Sequence, residues 1–356
     1  MLTEIHLLNF KSFPDTRIAV APMTLLAGLN NSGKSSVLQS LRMLWRWIET
    51  GDPSLPNHGS LKEMKNVNAS RSDPIRIAFR FGDQLKRTLQ IDFDAHGKLS
   101  IRPATGSFPP LPSMSYVAAD RWGPRVSLPI YTALGDLTHV GEYGEYVLDF
   151  LSRHEIDIVP PTLRHPEAEG ETLEYNVRAW LKEISPNVDF KHTRDPQRDT
   201  SYATIDGFRP PNTGFGLSYT LPVIVSLLCM SAEWKDAGEQ EFSSKHSSLV
   251  LLENPEAHLH PKGQTEMGRL IACSAASGVQ VIVETHSDHI MDGVRIAVKE
   301  GLIQSSETLF HYFTGNSPYE STIVTPKLHS DGKLDYWPEG FFDQTLKNRA
   351  RLSRRK

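Results

Sequence analysis

Between residues 28 and 35 the chain reads Gly28-Leu29-Asn30-Asn31-Ser32-Gly33-Lys34-Ser35, a glycine-spaced loop that ends in a lysine and a serine. Each residue type has a separate task. Gly28 and Gly33 let backbone N–H groups turn inward around an anion, Lys34 reaches phosphate oxygens, and the Ser35 hydroxyl is a hard oxygen donor suited to Mg²⁺. The flanks agree. Residues 23–27 form an apolar run of strand length, and Val37, Leu38, Leu41, Leu44, Trp45 and Ile48 recur at helical spacing up to Gly51, a natural C-cap. Strand, loop and helix in that order aim a helix N-terminus at phosphates. The stretch therefore predicts a site for ATP and Mg²⁺, formed by Asn30, Asn31, Ser32, Gly33, Lys34, Ser35 and Ser36.

Composition narrows the setting. The 356 residues are 39% hydrophobic and 22% charged, which describes an ordinary globular chain of one elaborated domain or two lobes. No apolar run approaches the roughly 18 residues of a membrane span, and no signal-peptide core opens the sequence, so a cytoplasmic protein is expected. Cys229 and Cys273 lack metal-ligand spacing, which argues against a zinc site or disulfide scaffold. The formal charge of −4 argues against wholesale coating of nucleic acid but allows a local basic patch.

Leu2 to Phe10 alternates for part of its length and reads as an edge strand, with a turn through Lys11 to Phe13. Ile75, Ile77, Phe79 and Phe81, then Leu89, Ile91 and Phe93, then Leu99 and Ile101 predict a three-strand meander within an antiparallel β lobe spanning 75–119. That lobe is broken by the Pro-rich residues 108–112 and resumes at Ser115 to Ala119. In Asp120-Arg121-Trp122-Gly123-Pro124-Arg125 the arginines read as surface or ion-paired groups, with phosphate contact as the alternative. A helical lobe follows over 141–230, where Leu173, Val177, Trp180, Leu181 and Ile184 share one face. Within it, Thr213-Gly214-Phe215-Gly216-Leu217-Ser218 reads as a glycine pair with a serine cap before an apolar helix, with Pro222 near the first turn.

Two further strand ends carry chemistry. The apolar run from Ser248 to Leu252 ends in Glu253-Asn254-Pro255-Glu256-Ala257-His258-Leu259-His260-Pro261, and an acid at the tip of a buried strand is where such proteins hold Mg²⁺. His258 and His260 have no third ligand at matching spacing. The run from Val279 to Val283 leads into Glu284-Thr285-His286-Ser287, which delivers an imidazole able to bond a γ-phosphate or an attacking water.

In this order the motifs resemble the ATP-binding-cassette-like ATPases of the SMC, RecF and OLD clade, most closely compact bacterial members with one uninterrupted head. Ile5 to Phe13 looks like their first strand, Gly28 to Ser35 like Walker A, Glu253 to Pro261 like Walker B and D-loop, and Glu284 to Ser287 like the switch histidine. Gly214 to Ser218 falls where the signature loop sits. The resemblance spans residues 1–315 and implies an α/β fold: a P-loop ABC-type ATPase head with a mostly parallel core sheet, an antiparallel β lobe and a helical signature lobe. Residues 316–356 then form a C-terminal extension, aromatic around Tyr336, Trp337, Phe341 and Phe342 and basic through Lys347, Arg349, Arg351, Arg354, Arg355 and Lys356. No heptad seam is present, so coiled-coil arms are not expected.

The resemblance also implies ATP hydrolysis by Glu253, Asn254, Glu256 and His286, Mg²⁺ on Ser35 and Glu253, and a homodimer or higher homo-oligomer. In that dimer Gly216 and Ser218 of one subunit would cap the γ-phosphate held by Lys34 of the other. Two departures matter. Asn254 stands where the clade usually has a second acid, which leaves Glu256 and His286 as stand-ins for the general base. OLD nucleases continue into a large nuclease domain, and the stretch after His286 is short for one. The expectation is therefore an ATP-gated switch acting with a separate effector nuclease, in bacterial anti-phage defence. A RecF-like repair ATPase that binds DNA directly and a transporter's ATPase subunit are the alternatives, with the basic tail as a possible nucleic-acid contact.

Overall fold

A computed structural model describes the chain apart from residues 83–84, 95–97, 103–111, 136, 187, 232–247, 318 and 354–356. Most of the Pro-rich piece at 108–112 and the last three basic residues thus lie outside the described residues. The fold is mixed α/β, in two compact units: Met1–Leu111 with Leu309–Lys327 and Leu334–Lys356, and Pro112–Thr308 with Leu328–Lys333.

In the first unit β1 (Leu2–Phe10), β2 (Phe13–Ala19), β4 (Ile75–Phe81), β5 (Leu85–Phe93) and β6 (Leu99–Arg102) form an antiparallel sheet in the order β2-β1-β4-β5-β6. The meander is present as read from the alternation, but β1 is not an edge. Positive φ at Asn9 (53°) and Lys11 (49°) reverses the chain so that Phe10 pairs with Phe13, while Ile5 and Leu7 pair with Phe79 and Ile77 on the other side. These residues make a buried apolar face.

A second group of strands in this unit runs β14-β13-β3, where β3 is Met23–Gly28, β13 is Thr308–Ser317 and β14 is Glu320–Val324. From β3 the chain passes through the glycine loop into α1 (Lys34–Thr50), which ends at Gly51 in the left-handed region, its N–H bonded to the Trp47 carbonyl at 2.8 Å. Val37, Leu38, Leu41, Leu44 and Trp45 are buried as their spacing requires, whereas Ile48 in the last turn is 38% exposed. Near the C-terminus Phe341 is buried against Tyr312 and Trp337, ahead of α7 (Gln344–Ser353).

The second unit contains three parallel strands in the order β12-β11-β7: β7 (Ser113–Val117), β11 (Ser248–Glu253) and β12 (Val279–Glu284). The residues expected to resume the antiparallel lobe are thus β7, paired in parallel with β11 so that Tyr116 lies opposite Leu251. Alternation reports a buried face; it does not identify the partner. Helices α5 (Pro261–Ala276) and α6 (Asp288–Lys299) follow β11 and β12. The region read as helical holds α2 (Val147–His154), α3 (Leu173–Ile184) and α4 (Phe215–Cys229), and also β9 (Phe190–Asp195) and β10 (Thr200–Ile205), which join β8 (Leu128–Pro129) in a small antiparallel sheet of order β8-β10-β9. The sequence hid this sheet because β9, Phe-Lys-His-Thr-Arg-Asp, has one apolar residue.

Asp149 on α2 ties that region together. Its carboxylate is 0% exposed and accepts from Arg153 Nη2 at 3.0 Å, Arg194 Nε at 2.5 Å and the Tyr131 N–H at 3.0 Å. Burial pushes its pKa upward, but the hydrogen bonds from both arginines and Tyr131 together outweigh that and hold it below the ordinary carboxylate value. A depressed carboxylate stabilises the fold above its unfolded pKa of about 3.9, and the contribution is lost as pH falls through the folded value. Asp149→Asn is therefore expected to cost about 3 kcal/mol at pH 7, read by urea unfolding, with the difference from wild type shrinking below roughly pH 3.9.

Candidate nucleotide site

The loop between β3 and α1 is shaped by close backbone contact. A Cβ on Gly28 (φ 140°) would stand 2.2 Å from the Phe313 carbonyl oxygen, and one on Gly33 (φ 101°) would meet Phe13, Ser12 and Ser321 at 2.7–2.9 Å. Only glycine fits at either place. Lys34 is 3% exposed, and its Nζ donates to the carbonyls of Gly28 at 3.1 Å and Leu29 at 2.8 Å, so the ammonium is folded into the loop that encloses it. The Ser32 Oγ is buried with no hydrogen-bond partner, while Asn30 and Asn31 are exposed and Asn31 has a positive φ of 62°. Ser35 and Ser36 open α1. A helix N-terminus, a buried cation and an unsatisfied hydroxyl in one glycine-bound loop fit a phosphate ligand.

The acidic strand end lies in the second unit. Glu253 closes β11, and its Oε2 accepts from the Ala119 N–H at 3.3 Å. Asn254 adopts φ 45°, donates its N–H to the Glu284 carbonyl at 2.9 Å, and keeps a buried Oδ1 that has no partner. Asparagine is among the few residues that take this backbone conformation readily. Glu256 does not stand free. Its two oxygens accept from the Thr285 hydroxyl and the His286 N–H, both at 2.8 Å, which latches this turn to the start of the histidine segment. Burial raises the Glu256 pKa, opposed by those bonds and by Arg121. The His286 side chain is exposed, and Ser287 caps α6 by accepting from the Ile290 N–H. The other two histidines have local settings: His260 is the N-cap of α5, and His258 packs on Tyr219 with ring centroids 4.6 Å apart. Among the described residues no three His, Cys, Asp or Glu side chains are grouped to hold a metal by themselves.

The residue that sequence reasoning missed is Arg121. Far from the surface, it is 2% exposed, and its guanidinium donates to the carbonyls of Ala118 (2.7 Å), Glu253 (2.7 Å) and Asn254 (2.9 Å). Burial lowers its pKa to about 10, against the pull of Glu256, Tyr219 and Glu253, so it stays cationic at neutral pH. It also lies over the Tyr219 ring at 5.5 Å, on α4. The start of that helix differs from the expectation. Gly214, at φ 87°, is the N-cap, Ser218 lies inside the first turn and is not a cap, and Pro222 is in the helix interior. Proline there has no N–H for the Ser218 carbonyl four residues back. Gly216 comes close to the acidic turn, since a Cβ on it would be 3.2 Å from the His258 carbonyl oxygen.

Comparison with known proteins identifies the family. Residues 1–114 and 163–291 match the family described as the AAA ATPase domain. The chain belongs to that family. It is a P-loop ATPase, with ATP as its nucleotide. Residues 303–352 match a second family, described as a protein of unknown function. The Old nuclease of Escherichia phage P2 is 22% identical over 92% of this chain, which spans 64% of that relative's length. The fold is similar to the SmcHead bound to the C-winged helix domain of ScpA (TM-score 0.53, 13% identity, 92% of this chain and 98% of that one). It is also similar to an Smc head domain with an extended coiled coil, bound to the C-terminal domain of ScpA derived from Pyrococcus furiosus (TM-score 0.52, 11% identity, 99% of both chains). Among the described residues no helix is long and apolar enough to cross a membrane.

Arg121 holds the carbonyls of Glu253 and Asn254, so its loss is expected to displace the acidic turn. Arg121→Met is expected to lower kcat roughly 10²-fold with little change in KM for ATP, measured by steady-state phosphate release. Unchanged kcat in a folded variant would contradict that role.

Proposed function

We propose that this ATPase is a slow, ATP-gated switch whose closed state is a homodimer. Lys34, Gly33, Ser32, Asn30 and Asn31 would bind the phosphates, Ser35 and Glu253 would ligate Mg²⁺, and Gly214, Gly216 and Ser218 would meet the nucleotide of the second copy. The observation that carries the reading is Asn254. Its amide can orient a water but cannot accept a proton at neutral pH, so general-base help worth roughly 10²–10⁴-fold is missing at that position. Glu256 already accepts one hydrogen bond on each oxygen, from the Thr285 hydroxyl and the His286 N–H, which weakens it as a stand-in base. His286 is the remaining group to place the water. A separate effector nuclease in anti-phage defence is the partner we favour, supported by the likeness to the Old nuclease. Direct binding of DNA, supported by exposed Arg349 and Arg351 on α7, is the second reading.

Hydrolysis and assembly test it together. Wild type is expected to turn over ATP below about 1 s⁻¹ and to double its mass in light scattering with a non-hydrolysable ATP analogue but not with ADP. Ser218→Arg should remain monomeric. Asn254→Asp supplies a carboxylate on a residue that still tolerates positive φ, and should raise the rate about 10-fold or more. Fast wild-type turnover, or equal masses with both nucleotides, would contradict the switch.

A further inference from the structure

The stretch that matches a family of unknown function contains β13 and β14, and both lie directly behind the nucleotide loop. The contacts are specific. The Phe313 carbonyl occupies the space that any side chain on Gly28 would need, and the Phe313 ring meets Phe13 edge-on at 6.4 Å between centroids. One turn of chain later, Ser321 is 9% exposed and bonds in three directions: its N–H donates to the Ser12 carbonyl at 2.8 Å, and its hydroxyl is 2.7 Å from both the Ser12 hydroxyl and the Ser32 carbonyl. A hydroxyl has one proton. The arrangement that satisfies both contacts has Ser321 donating to the Ser32 carbonyl and accepting from Ser12.

We infer that β13 and β14 form a bracket that sets the phosphate-binding shape of the loop, with Ser321 as its positioning residue. In a trans peptide C=O and N–H point in opposite directions. Tying the Ser32 carbonyl back toward β14 therefore turns the Gly33 N–H to the other side, where an inward-facing N–H can donate to a phosphate. Asn66 reinforces the frame by donating from Nδ2 to the Lys11 carbonyl at 2.6 Å and to the Tyr319 carbonyl at 3.0 Å. His311, buried in β13, contacts the Ala19 carbonyl through Nε2 at 2.8 Å and the Thr325 hydroxyl through Nδ1 at 2.7 Å. The bracket is thereby fixed to both ends of β2, so the loop rests on a support that spans the unit's first hairpin.

This inference rests on ATP binding at Lys34, so calorimetric titration of the full-length wild type with ATP and Mg²⁺ comes first; failure to bind would remove the nucleotide reading and this one with it. Ser321→Ala is expected to raise the Kd for ATP and for ADP alike by roughly 5- to 10-fold, with kcat at saturating ATP unchanged. Ser12→Ala should do the same, and the double variant should be little worse than either, because one chain of bonds is broken in each. Wild-type affinity in Ser321→Ala would overturn the proposal. So would additive losses in the double variant, or a fall in kcat and melting temperature with Kd unchanged, which marks a merely structural hydroxyl.

Discussion

A lysine ammonium that is almost completely buried has to find acceptors, and in this chain it finds them in the loop that carries it. Lys34 bonds the carbonyls of Gly28 and Leu29, which closes the loop on its own cation and holds a positive charge at the N-terminus of α1. Burying a charge is tolerated only when it is paired and hydrogen-bonded. The curled backbone that supplies those carbonyls requires the glycines on either side, and the glycines in turn admit the backbone of β13 and the hydroxyl of Ser321. The front of the loop is thus defined by a charge and its back by packing.

The second unit solves a similar problem with an arginine. Arg121 is buried in the turn after β7 and donates to the backbone carbonyls of Ala118 and of the acidic turn, while its face covers Tyr219. Tyr219 packs on His258, and Gly216 sits against the His258 carbonyl, so the start of α4 and the turn after β11 share one contact set. Tyr219, in the same stretch of α4 as Gly216, is joined through Arg121 to the backbone of Glu253 and Asn254. Glu256 extends the set to His286. This is a short physical path between the helix proposed to meet a second copy and the residues proposed to handle water.

What could be read from the chain was local. The nucleotide loop, β3, α1 and its Gly51 cap are contiguous, and spacing alone specifies them. The strand ends at Glu253 and His286 were legible for the same reason. Arg121 was not, because nothing in Asp120-Arg121-Trp122 tells a buried arginine from a surface one; two of its carbonyl partners, on Glu253 and Asn254, lie far along the sequence. The parallel partner of β7 and the polar β9 were hidden likewise. Asn254 shows a subtler limit: its chemistry as a non-base was evident, but its positive φ, which restricts what else can stand there, belongs to the turn.

The most direct test is a crystal structure of the protein with Mg²⁺ and a non-hydrolysable ATP analogue. Lys34 Nζ should leave the Gly28 and Leu29 carbonyls for the β- and γ-phosphate oxygens, while the Ser321 hydroxyl stays on the Ser32 carbonyl. A nucleotide bound elsewhere, with Lys34 still folded onto its own loop, would contradict the account.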